Sequence, residues 1–94
     1  MFLVIVRRSG PEWVASKALE EQWGWDGHAA FMDALVADGF IVLGGPLADE
    51  QRVAHAIEAR DEEEVRARLG RDPWSGSHLE IESIDAWTVR LRRD

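Results

Sequence analysis

The order of the apolar segments is the feature that most constrains how this chain folds. Short apolar or alternating runs, typical of strands, surround two segments of helical periodicity in the order β-α-β-β-α-β. This order predicts an α+β, ferredoxin-like fold, in which two helices cover one face of an antiparallel sheet. At 94 residues the chain has room for one such domain, spanning residues 1–94. The predicted strands are Phe2–Val6, Phe40–Leu43, Val53–Ala59 and Leu79–Ser83.

Local signals predict where the two helices begin and end. Asp26 is a good N-cap for the first helix, which is expected to run to Asp38 before Gly39 stops it. Asp61, followed three residues later by Glu64, predicts a capping box at the start of the second helix. The apolar stripe predicted for the first helix consists of His28, Phe31, Met32, Leu35 and Val36.

The segment before the first helix is unusually rich in tryptophan. Residues 12–24 show a mixed signal, which predicts a long ordered loop with at most one helical turn. The chain has five Trp, three Phe and no Tyr. Because indoles are enriched where an apolar surface meets a wet edge, we expect at least two of the five to line a ligand pocket or a subunit interface.

The face of the sheet without helices also carries apolar side chains in this prediction. An apolar face of this kind has to be covered, and packing two such sheets face to face would cover it. We therefore expect a homodimer built around the two sheets. The alternative is a monomer whose open face binds a flat ligand.

Composition narrows the classes of partner. The net charge of −7 argues against nucleic acid and against an anionic membrane surface as partners. The chain has no Cys, which excludes disulfides and thiolate nucleophiles. Its longest apolar run, Phe2–Val6, is too short to span a bilayer, and no basic segment precedes it as in a secretory signal. We expect a cytoplasmic protein that needs no cofactor.

Three stretches resemble the YCII-related family of small ferredoxin-like proteins, which belongs to the dimeric α/β-barrel group. They are the opening strand FLVIV, the segment HAAFMDALVADG leading into FIVLGGP, and RDPWSGSHLEI after the second helix. The family's signature positions correspond here to His28, Gly45–Pro46 and Asp72–Pro73–Trp74. The resemblance implies a dimeric α/β barrel and a His-Asp pair as the catalytic residues. Some relatives act on chlorinated or hydroxylated ring-derived compounds. The long Trp-bearing segment 11–25 departs from the short form of the family.

His28 stands out from the residues alone, since it interrupts an apolar stripe near a helix N-terminus. Such a histidine is either a packing residue or a general acid/base, and the helix N-terminus favours the neutral imidazole that acts as a base. Asp72 precedes a proline, which restricts it to an extended or turn conformation. It is either a turn former or the carboxylate that orients the His28 ring.

Other residues are candidates for the walls of the same site. Three histidines without a local ligand motif do not predict a metal site. His55 shares a strand face with Val53 and is expected to line the His28 cavity, whereas His78 is expected to be exposed. The candidates for substrate binding are Trp25, Gly45, Pro46, His55, Trp74 and Ser77.

These observations favour a small-molecule enzyme of lyase or isomerase type, in which His28 moves a proton and Asp72 orients it. The resemblance extends the substrate to ring-derived or halogenated acids. A non-catalytic ligand-binding or accessory module that uses the same cavity is the alternative, and an interaction subunit whose sheet face docks a partner is a third hypothesis.

Overall fold

A computed structural model describes residues 1–93 and has the predicted order of elements. The β-α-β-β-α-β arrangement is confirmed, and the fold is α+β and compatible with the ferredoxin-like class. The elements are β1 (Phe2–Arg7), α1 (Trp25–Ala37), β2 (Ile41–Pro46), β3 (Arg52–Ile57), α2 (Glu62–Leu69) and β4 (Glu80–Ala86).

The four strands form one antiparallel sheet in the order β2-β3-β1-β4. The most apolar strand, β1, therefore lies in the interior of the sheet, between β3 and β4. In this register Val4 lies opposite His55 on one side and Ile84 on the other. Because alternate residues of a strand point to opposite faces, this register places His55 on the same face as Val4 and Val6.

The main core lies on that face, beneath both helices. Val4, Val6 and Ile57 from the sheet are at most 6% exposed, and they belong to one cluster with residues from both helices. The residues that α1 and α2 contribute to the cluster are Leu35, Val65 and Leu69. Both helices thus cover the same face, which leaves the face of Leu3 and Ile5 without a helix.

Helix α1 differs from its prediction at its start and along its stripe. It begins at Trp25, and its N-cap is Gly24 in the left-handed conformation (φ 79°), so Asp26 lies in the first turn and is not the cap. Gly24 can adopt this conformation without steric cost, which places the start of the helix earlier than the Asp signal indicates. Val36 is 54% exposed and does not contribute to the buried stripe. The predicted stop at Gly39 is confirmed by its φ of 84°.

Strand β2 also runs further than predicted. Gly44, Gly45 and Pro46 pair with β3, so they continue the strand where the sequence predicted its end. The reason is topological: β2 lies at the edge of the sheet, where a proline is tolerated because its missing N–H interrupts no interior ladder.

Helix α2 begins as predicted. The side chain of Asp61 accepts a hydrogen bond from the Glu64 backbone N–H, and Glu64 in turn accepts one from the Arg60 backbone N–H. The Glu64 carboxylate therefore reaches the residue before the N-cap and not the N-cap itself.

The Trp-rich segment is an ordered loop with a single 3₁₀ turn at Leu19–Glu21, as predicted. Its internal anchor is Gln22, which is only 3% exposed. The Gln22 side chain accepts from the Val14 N–H and donates to the carbonyls of Val14 and Lys17. Across residues 1–93, none of the helices has the length and apolar character needed to cross a membrane.

Candidate functional site

His28 and Asp72, which are 44 positions apart in sequence, form a hydrogen-bonded pair. The Nδ1 atom of His28 lies 3.0 and 2.8 Å from the two carboxylate oxygens of Asp72. Both side chains are largely buried, with exposed fractions of 12% and 6%. An ionised carboxylate can only accept hydrogen bonds, so Nδ1 carries the proton and donates it to Asp72. The neutral ring then has its lone pair on Nε2.

The loop after α2 holds Asp72 in place. Its Oδ1 atom also accepts from the backbone N–H of Trp74 at 2.9 Å, a local turn in which an aspartate bonds two residues ahead. The two hypotheses for Asp72 are therefore both met by one geometry: the residue forms the turn and also binds the imidazole.

Trp74 is the platform on which His28 lies. The two rings are stacked, with centroids 4.2 Å apart and planes inclined by 7°. On the opposite side of the indole, His78 stacks at 4.6 Å and 15°. Trp74 has no exposed surface, and its Nε1–H donates to the backbone carbonyl of Trp23 at 2.7 Å. The stacking on Trp74 and the contacts of Nδ1 with both oxygens of Asp72 leave the His28 ring little rotational freedom.

The Trp-rich loop closes over this platform. Trp13 meets Trp74 edge to face, with centroids 6.0 Å apart and planes at 84°. Trp25, at the start of α1, lies 5.9 Å from His28 and 6.0 Å from Trp74, centroid to centroid. Edge-to-face and offset contacts at these separations are favourable for aromatic rings. The Trp-bearing segment 11–25 thus builds part of the site.

A cavity of about 640 Å³ opens beside the His28–Asp72 pair, between the helices and the sheet. Its volume is in the range of small-molecule sites. The polar groups on its wall include the pair itself, His55, Arg8 and Arg66. The apolar wall is formed by Val6, Met32, Val53, Leu69, Leu79 and Ile81.

His28 is one of the residues that line this space. Within residues 1–93, no hydrogen-bond partner is found for Nε2, and this atom is not enclosed by the protein. A neutral histidine held in this way offers a bare, accepting nitrogen to a molecule in the cavity.

His55 lies in the same wall, on β3, and is 8% exposed. Burial, and after it the nearby His28, lower the pKa of this imidazole to about 4, and Asp72 opposes both effects. The ring is therefore neutral at pH 7. Its Nδ1 atom is buried and has no hydrogen-bond partner in the described part of the chain.

Most of the predicted binding residues line this cavity. Trp25, Gly45, Pro46, His55 and Trp74 do so, whereas Ser77 does not. Ser77 lies behind the platform instead, where its hydroxyl is 2.9 Å from Nδ1 of His78. The expectation that His78 is exposed is wrong, since the residue has no exposed surface. It precedes β4 and packs beneath Trp74, so the strand alternation on which the expectation rested does not apply to it.

The sequence analysis missed the role of Gly44. A Cβ atom at this position would lie 2.2 Å from Nδ1 of His55, so only glycine allows the ring to occupy its place. The signal available in the sequence was the glycine pair 44–45, but its cross-strand partner depends on the register between β2 and β3.

Asp38, the C-cap of α1, is the carboxylate at the opposite end of the helix that carries His28. It accepts a hydrogen bond from Arg68 of α2, which lowers the pKa of its carboxyl group. In residues 1–93, no group of three His, Asp or Glu side chains is arranged to hold a metal ion.

Comparison of the chain with models of protein families, with curated proteins and with solved structures found no match.

Proposed function

We propose that this protein is a cytoplasmic small-molecule enzyme of lyase or isomerase type and a member of the YCII-related family. His28 is its general base and Asp72 the residue that orients it. One observation carries the proposal: Asp72 binds Nδ1 of His28 with both oxygens, while the ring lines the cavity and its Nε2 has no hydrogen-bond partner in residues 1–93. A carboxylate behind an imidazole that faces a ligand site is the arrangement used for proton transfer in many unrelated enzymes.

The surroundings support a proton transfer at carbon. The apolar part of the cavity wall lowers the local dielectric around a bound substrate, which strengthens the electrostatic effect of the polar groups present. The aromatic platform fixes the direction of the base, and a fixed base lowers the entropic cost of reaching the transition state. The resemblance adds ring-derived or halogenated acids as the substrate class to be tried first.

Deuterium exchange tests the proposal without knowledge of the natural substrate. A panel of cyclic keto acids, lactones and their chlorinated forms is incubated with the protein in D₂O and followed by NMR. We expect loss of the C–H signal next to a carbonyl, or loss of halide, for at least one compound. The reaction should be abolished in His28→Gln. In Asp72→Asn it should slow on the order of 10³- to 10⁴-fold, because an amide N–H facing Nδ1 imposes the wrong tautomer.

Asp38→Asn is the matched control, since Asp38 is a carboxylate of the same helix region that binds Arg68 and not His28. It should exchange deuterium at the wild-type rate. Binding of panel compounds in the cavity with neither exchange nor conversion would contradict the enzyme proposal.

The second candidate is a non-catalytic module that binds a small ligand in the same cavity. The observation that favours it is the stacking of His28 on a fully buried indole, which a packing histidine would also show. In this case compounds would bind without being changed. His28→Gln would then reduce affinity or leave it unaltered, whereas in an enzyme it removes turnover and preserves binding.

We propose a homodimer for the reason given by the sequence prediction, namely that an apolar sheet face without helices has to be covered. The helix-free face of the sheet carries Leu3, Ile5, Leu43, Ala54 and Ala56. Leu43 is 67% exposed on this face. Two such faces packed together would form the dimeric barrel.

Sedimentation at micromolar concentration tests the dimer. We expect twice the mass of the 10.6 kDa chain, and a shift towards the monomer in Leu43→Lys. Val36→Lys, on the exposed side of α1, is the control that should leave the mass unchanged. A folded wild-type protein that sediments as a single chain would contradict the dimer.

A further inference from the structure

His55 shows an unusual combination of burial and missing partners. Its Nδ1 atom is enclosed without a hydrogen bond, although buried polar groups are nearly always paired. In His28, which lines the same cavity, Nδ1 is within hydrogen-bond distance of both carboxylate oxygens of Asp72. The second ring nitrogen of His55, Nε2, neither bonds to a residue in 1–93 nor is enclosed.

The contact with Gly44 fixes which nitrogen of His55 carries the proton. A Cβ on Gly44 would point at Nδ1 from 2.2 Å, so the Cα hydrogen that glycine carries in this direction points there too. A bare Nδ1 with its lone pair accommodates this weakly polar Cα hydrogen, whereas a hydrogen atom bonded to Nδ1 would clash with it. The neutral ring therefore has its proton on Nε2.

The two imidazoles that line the cavity are thus complementary. His28 presents a bare Nε2 because its Nδ1–H is bound to Asp72, and His55 presents Nε2–H because its Nδ1 faces Gly44. One ring accepts a proton and the other donates a hydrogen bond. A general base and an N–H donor in one apolar cavity are the two groups needed to form and stabilise an enolate.

We propose that His55 is the electrophilic catalytic residue of this site, whose Nε2–H stabilises the oxyanion that develops when His28 removes a proton from the carbon next to a substrate carbonyl. In this step the C–H bond breaks and the proton moves to Nε2 of His28. The electron pair of that bond forms a C=C bond, and the carbonyl π electrons move to oxygen, which accepts the hydrogen bond from His55. Return of the proton to the same or a neighbouring carbon gives isomerisation. Loss of a leaving group one carbon further along gives elimination.

Two features of His55 suit this role. With a pKa of about 4 the ring stays neutral at pH 7, so it stabilises the oxyanion without giving up its own proton. In addition, the Gly44 contact and the small exposed fraction hold the ring before substrate arrives, so no reorganisation is needed during the reaction. This inference rests on the proposed function and names its substrate class as compounds with a carbonyl group that can enolise.

The first test is the tautomer itself, which requires neither a substrate nor activity. Long-range ¹H–¹⁵N correlation spectra of the wild-type protein at pH 7.5 distinguish protonated from bare ring nitrogens. We expect Nε2–H on His55 and Nδ1–H on His28. An Nδ1–H on His55 would overturn the inference.

The second test measures the donor with a probe, 4-nitrophenolate, whose oxygen mimics an enolate and whose absorbance reports its ionisation. His55→Gln keeps an N–H donor at the reach of Nε2, whereas His55→Met has a similar volume and no donor. We expect the Gln variant to bind the probe within a few-fold of wild type and the Met variant about 10- to 100-fold more weakly, as for loss of a hydrogen bond to a charged group.

Wild-type affinity in His55→Met would overturn the role of His55 and leave the proposed function standing, since His28 would then work without it. Conversely, the expected tautomer and probe affinities without any deuterium exchange would show that the proposed function fails while the oxyanion donor is present.

Discussion

The two sides of the cavity orient their histidines in different ways. On the side of α1 and the loop after α2, hydrogen bonds fix His28, because Asp72 binds its Nδ1 and Trp74 supports its face. On the side of β2 and β3, no hydrogen bond from the described residues 1–93 reaches Nδ1 of His55, and the ring is held by burial and by the backbone of Gly44. The comparison shows that a protein can set the proton of an imidazole either with an acceptor or by steric contact.

The two mechanisms also differ in how they respond to acid. A ring bound to a carboxylate can accept a second proton and remain paired, whereas a buried ring without an acceptor has no counter-charge in direct contact. Mutations and pH should therefore affect the two sides differently.

The largest effect is expected on the hydrogen-bonded side, from Asp72→Ala. This change leaves two buried donors without an acceptor, the His28 Nδ1–H and the Trp74 backbone N–H. We expect the free energy of unfolding to fall by about 4 kcal/mol, since each unpaired buried group costs about 1–3 kcal/mol. Urea denaturation measures this directly.

Combining Asp72→Ala with His28→Ala sharpens the result. The double variant should lose less than the sum of the two single losses, because the interaction is already absent from either single variant. Strict additivity would contradict an energetic coupling between the pair. Asp38→Asn is the control for Asp72→Ala, because it removes a carboxylate that binds Arg68 at the surface.

The next effect is the pH dependence that arises on the steric side. The pKa of His55 is about 4 in the folded protein and 6.5 in its ordinary state, so the unfolded chain binds the additional proton first. Stability is therefore fully present above pH 6.5 and is lost as the pH falls from 6.5 towards 4. The loss should reach about 3 kcal/mol at pH 4.

The measurement compares urea midpoints of wild type and His55→Gln over that pH range. The other titrating groups are common to both proteins, so the difference curve isolates His55. Between pH 6 and 4.5, the difference in stability should change with pH at a slope that corresponds to close to one bound proton. Wild type should lose more stability than His55→Gln. Parallel curves would show that His55 is not buried as a neutral ring.

The smallest effect is expected from the glycine that fixes His55. Gly44→Ala puts a methyl group 2.2 Å from the ring and 3.0 Å from the carbonyl oxygen of Ala54. We expect a loss of about 1–3 kcal/mol, typical of overpacking, together with a displaced His55 signal in the NMR spectrum. Gly45→Ala is the matched control one residue away, since a Cβ there meets no atom within 4 Å. Equal stability of the two alanine variants would remove the steric account of His55.

Several parts of the site were predictable because they depend on short-range chemistry. His28 was identifiable as a polar residue in an apolar stripe, and Asp72 as a carboxylate whose backbone Pro73 restricts. Their contact across 44 positions was only a hypothesis, because no local rule fixes the distance between a helix and a distant loop. The predicted N-cap of α1 was wrong by two residues, since a left-handed glycine at position 24 competed with the signal of Asp26.

What the sequence alone determined is the order of the elements, the end of α1 at Gly39 and the capping of α2 by Asp61. Periodicity, caps and turns act over a few residues, so they can be recognised in the amino-acid sequence itself. The tertiary structure alone decided that His78 is buried behind Trp74 and that Gly44 lies against His55. Both facts depend on register and on packing between distant segments, and the physical reason is that steric exclusion acts between neighbours in space, whatever their separation along the chain.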